Sequence, residues 1–98
     1  APDLSLLRIL ARAHRVQSSL SKNPKLSVRD VALEEGVTAP HLYSILRLPW
    51  LAPDITTALV NGRQPSELTA KSLMRLLPRL PADWVEQRKL LGFSRERA

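Results

Sequence analysis

The chain has 98 residues, 44% of them hydrophobic, with 15 Lys plus Arg against 9 Asp plus Glu and no cysteine. This size predicts one small globular domain over residues 1–98, and the missing thiols exclude both a disulfide scaffold and a thiolate-held metal. A net charge of +6 makes nucleic acid the first partner to test, ahead of an anionic membrane surface. Glycines 36, 62 and 92 are too scattered to build a phosphate-cradling loop. His14 and His41 lie too far apart to form a helical metal pair, so neither cofactor, metal nor catalytic residues are expected. Every leucine-rich run is interrupted short of the roughly 18 apolar residues that span a bilayer. Ala1-Pro2-Asp3 opens with an acid and no arginine-free apolar region follows, so a cytoplasmic location is the expectation.

Apolar residues recur at helical spacing almost throughout, which predicts an all-α fold of six helices. The first runs from its cap at Asp3 to about Leu20, with Leu6, Ile9, Leu10, Ala13, Val16 and Leu20 as its buried stripe. Arg8, Arg12 and Arg15 share another face of that helix and are read as its solvent side. Ser21 to Lys25 breaks the helix, because Pro24 holds Asn23 in extended conformations. Ser27 and Asp30 form a capping-box-like start to a second helix, Val28 to Glu35, which Gly36 ends in a left-handed conformation. A third helix opens at Thr38 and continues to about Leu46. Pro49 and Pro53 delimit a connector, Asp54 starts a fourth helix that stops at Asn61-Gly62, and two more span Thr69 to Leu77 and Asp83 to Leu91. Trp50 and Trp84 are read as core plugs for these C-terminal helices.

Residues 28–47 carry the informative pattern. Counting Val28 as position one of a helix-turn-helix, Val31 and Ala32 are fourth and fifth, Gly36 ninth, Val37 tenth, Leu42 fifteenth and Ile45 eighteenth. Two short helices crossing steeply need a small residue where they touch, which Ala32 supplies, and a turn free of side-chain clash, which Gly36 supplies. Val28, Val31, Val37, Leu42 and Ile45 are the expected shared core with the first helix. In such a motif the second helix enters the major groove of duplex DNA. Its candidate base readers are Thr38, Tyr43, Ser44 and Arg47, with His41 at the margin; Pro40 offers no donor and can only touch a thymine methyl or shape the approach. Lys22, Lys25 and Arg29 are the candidate phosphate contacts. Glu34 and Glu35 are not a catalytic pair, since adjacent helical side chains diverge by about 100°.

The run from Ser27-Val28-Arg29-Asp30-Val31-Ala32 through Gly36-Val37 and Leu42-Tyr43-Ser44-Ile45-Leu46-Arg47-Leu48 is followed by Leu51-Ala52-Pro53-Asp54-Ile55 and Asn61-Gly62-Arg63-Gln64-Pro65. Together with Leu68-Thr69 and Asp83-Trp84 to Phe93, it resembles the C-terminal region of bacterial serine site-specific recombinases of the invertase and resolvase superfamily. The helix-turn-helix half is also similar to plasmid partition and repressor proteins of the ParB type. The resemblance implies a DNA-binding module that places a recombinase on its crossover site, with the serine nucleophile domain outside this chain. Ala39-Pro40-His41 departs from the polar or larger residues of those relatives. The expected partner is double-stranded DNA, with self-association or a parent recombinase domain as further contacts. The other class is a helical protein-interaction or partition/transcription-regulator module in which residues 54–93 mediate assembly.

Overall fold

The computed structural model describes residues 2–93. They form six α-helices, two short 3-10 turns and no strand among the described residues. Helix α1, Leu4–Lys22, starts where Asp3 Oδ1 accepts the backbone N–H groups of Ser5 (2.9 Å) and Leu6 (3.3 Å), two of the donors a helix start leaves without partners. Extended backbone at Asn23, just before Pro24, ends it. Helix α2, Val28–Glu35, carries the reciprocal capping box: Ser27 Oγ accepts from Asp30 N and Asp30 Oδ2 accepts from Ser27 N, both at 3.1 Å. Gly36 closes α2 at φ 73°, and the Val37 N–H returns to the Ala32 carbonyl.

Helix α3, Ala39–Ile45, is capped by Thr38, whose Oγ1 accepts from His41 N at 3.2 Å. Pro40 therefore sits second in the helix, where its missing N–H costs nothing. A 3-10 turn, Leu48–Trp50, leads into α4, Pro53–Val60, which begins at Pro53 rather than at Asp54. Helix α5, Ala70–Leu76, is held at its start by reciprocal Thr69 and Ser72 bonds and passes into the second 3-10 turn, Leu77–Arg79. Helix α6, Trp84–Leu91, is capped by Asp83 and ends at Gly92 with φ 85°. No helix among the described residues is long and apolar enough to cross a membrane.

The core has two clusters, and α1 joins them. Its C-terminal half contributes Val16 to a small cluster with Val31, Ala32 and Leu42, against which Leu20, Val28, Val37 and Leu46 pack. Its N-terminal half contributes Leu6 and Ala13 to a larger cluster with Ile55, Leu59, Leu73, Leu77 and Leu91. Ile45, expected in the helix-turn-helix core, belongs to the larger cluster instead. One helical residue step swings a side chain by about 100°, so Leu42 and Leu46 face α2 while Ile45 faces the C-terminal helices.

The tryptophans are not core plugs: Trp50 is 56% and Trp84 49% exposed. The 3-10 turn repeats every three residues, so Leu48 and Leu51 stack on its inner side and Trp50 turns outward. Trp84 opens α6 on the same stripe as Gln87 and Leu91, but only those two are buried. Gln87 is the polar residue buried at the centre of these helices, with 0% exposure. Its Oε1 accepts from Ala52 N at 2.8 Å, and its Nε2 donates to the carbonyls of Trp50 (3.0 Å) and Pro81 (2.9 Å). One amide thus joins the connector before α4 to the start of α6. Beside it, Arg88 grips Asp54 through two 2.9 Å bonds, drawing the Asp54 carboxyl below its ordinary pKa.

Candidate nucleic-acid interface

Helices α2 and α3 pack across Gly36, with Ala32, 4% exposed, at the point where larger side chains would force them apart. With Leu42 and Ile45 turned inward, α3 presents Pro40 and Tyr43 along its outer side, and the half-buried Arg47 follows just past its C-terminal cap, Leu46. Positions 40 and 43 follow the i, i+3 spacing of one helical stripe. Tyr43 is 57% exposed, its phenol free to donate or accept. The Arg47 guanidinium carbon lies 5.6 Å from the centre of the Trp50 ring, a cation–π distance that steadies the arginine without using its N–H donors.

The other sequence-predicted readers are constrained by the fold. The Thr38 hydroxyl accepts the cap bond from His41 N, so its O–H remains available as a donor. The Ser44 hydroxyl donates to the Pro40 carbonyl at 3.2 Å, which leaves it only as an acceptor toward anything outside. His41 turns away from Tyr43 and into a groove of about 480 Å³ between α1, α3 and α5, lined also by Arg8, Arg12 and Met74. Lys22, Lys25 and Arg29 are all exposed and follow one another at the junction of α1 and α2, none in an ion pair among the described residues.

Sequence spacing alone missed the electrostatic contact at this site, as it missed the pair of Arg88 with Asp54. Arg15 grips Glu35 through Nη2 at 2.9 Å and Nε at 3.4 Å, and Arg12 Nε lies 3.2 Å from the same carboxylate. Two arginines read as a solvent face therefore hold the end of α2 against α1, beside the turn that sets α3. Residues 15 and 35 are twenty apart in the chain, so no local periodicity could pair them. The hydrogen bond from Arg15, followed by the two positive charges, draws the Glu35 carboxyl below its ordinary pKa despite partial burial.

A depressed carboxylate pKa stabilises the fold above the unfolded-state value and ceases to do so as pH falls through the folded one. Lowering the pH below about 4 should accordingly cost the wild type stability that Glu35→Gln does not lose. The exposure of Arg15 keeps the effect small. Urea midpoints measured from neutral to acid pH test this; parallel curves for the two proteins would show that Glu35 contributes nothing.

No group of three His, Cys, Asp or Glu side chains suited to a metal occurs among the described residues. Comparison with protein-family models, curated proteins and solved structures finds no match to this chain.

Proposed function

We propose that this chain is a non-catalytic helix-turn-helix module that binds duplex DNA, and that it is the targeting region of a serine site-specific recombinase. The observation that carries this reading is the pairing of α2 and α3 about a left-handed Gly36, with Tyr43 exposed on α3, Arg47 just beyond its end, and unpaired cations at the α1–α2 junction. An exposed helix about 10–12 Å wide matches the major groove, and flanking cations match the phosphates. The recombinase assignment is supported by the motif resemblance, which extends beyond the helix-turn-helix to residues 51–93.

Titration of labelled duplex against salt tests the reading. Binding in the micromolar range or weaker is expected, falling steeply as salt rises. Lys25→Ala and Arg29→Ala should weaken all sequences alike, whereas Tyr43→Ala should alter sequence preference by about 1–3 kcal/mol. No binding by the wild type even at low ionic strength would sink the proposal.

A second reading is favoured by Trp50, Trp84 and Val85, all about half exposed in the C-terminal half. Large apolar surface of this kind also suits a protein interface. On this reading the duplex titration shows no binding, while sedimentation of the protein with its partner or with itself shows association that persists at high salt.

A further inference from the structure

The major groove is bounded by two phosphate backbones, and a helix lying in it has one on either side. On α3 the two flanks differ. Leu42 and Leu46, one turn apart, face α2 and its cations at the α1–α2 junction. His41 and Ile45, also one turn apart, face the groove between α1 and α5. The sequence-predicted phosphate contacts, Lys22, Lys25 and Arg29, all serve the first flank and leave the second without a partner.

The second flank has the chemistry to supply one. The groove is rimmed by Arg8, Arg12, His41 and the Ser5 hydroxyl over an apolar floor that includes Ile9 and Met74, and no carboxylate lines it. Arg8 is exposed and has no ion-pair partner among the described residues. Arg12 meets Glu35 through Nε, which leaves its two terminal nitrogens for an outside acceptor. Arg15 lines the groove as well and shares Glu35 with Arg12, so one carboxylate offsets one of three arginine charges and an excess remains toward solvent.

We propose that the Arg8–Arg12–His41 groove between α1, α3 and α5 is a second phosphate contact, so that the module grips both backbones bounding the major groove. This rests on the DNA-binding reading above and assigns a role to the far side of α3. Arg8 is its principal cation; Arg12 both steadies Glu35 and reaches the phosphate.

The test compares the salt dependence of binding to one duplex for the wild type, Arg8→Gln, Arg8→Glu and Arg29→Gln, with thermal melting to show that each variant is folded. Each lost phosphate contact lowers the slope of log affinity against log salt by about 0.9. Arg8→Gln is expected to lose about that much, as Arg29→Gln does, and Arg8→Glu to weaken binding further, with melting unchanged. Unaltered slope and affinity in both Arg8 variants would overturn the second contact while leaving the DNA-binding reading in place if Arg29→Gln retains its effect. A wild type that fails to bind at low salt would overturn both.

Discussion

Replacing Gln87 by Ala should destabilise the domain by about 3–5 kcal/mol, a large part of the roughly 5–15 kcal/mol that holds a domain folded. The side chain is fully buried and makes three hydrogen bonds, to Ala52 N and to the carbonyls of Trp50 and Pro81. Truncation removes all three, leaves a cavity, and strands the Ala52 N–H at a residue with 0% exposure. Gln87→Leu separates these causes. It nearly conserves volume but still orphans the backbone groups, so it should cost about 2–4 kcal/mol. At about 4–8 °C per kcal/mol for a domain this small, both losses are plain in thermal melts followed by circular dichroism. A Gln87→Leu protein as stable as the wild type would mean that solvent or other groups satisfy those backbone atoms.

Gly36→Val is expected to cost about 2–3 kcal/mol, for a reason unrelated to crowding. A Cβ built at Gly36 has no heavy atom within 4 Å, so space is available. The penalty lies in the backbone: φ is 73°, where an L-residue brings its Cβ against its own chain and a β-branched one does so most severely. Gly36→Asn should therefore lose clearly less, since Asn tolerates the left-handed region, and Gly36→Ala should fall between them. Equal melting of the Asn and Val variants would contradict the backbone account. The same substitutions bear on the proposed function, because this residue sets the angle between α2 and α3 and hence the surface that α3 presents.

Much of the fold was legible because its signals are local. Asp3, Ser27 with Asp30, Thr38, Thr69 and Asp83 are each bonded to backbone donors within three residues, and the prolines and glycines interrupt the helices on similarly short scales. Helix boundaries accordingly lie within one or two residues of expectation, with α1 extending to Lys22 and α4 starting at Pro53. The candidate interface was legible in part. The outward position of Tyr43 follows from helical periodicity, whereas the placing of Arg47 over the Trp50 ring, past the end of α3, and the turning of His41 into the α1–α5 groove depend on the packing around them.

Sequence by itself determined the helical class, the caps and the left-handed turn at Gly36, because each depends on neighbours within about one helical turn. Only the tertiary structure decided that Arg12 and Arg15 clamp Glu35, that Gln87 rather than a tryptophan sits at the junction of the C-terminal helices, and that Ile45 joins the larger cluster. Those contacts join residues 20 to 37 positions apart where the partners are hydrogen-bonded, with the exception of Pro81, which lies six residues from Gln87. No spacing along the chain encodes them. They follow from which helix faces meet once the apolar stripes are buried, and the side chains left at those seams pair with whatever polar group the packing brings within reach.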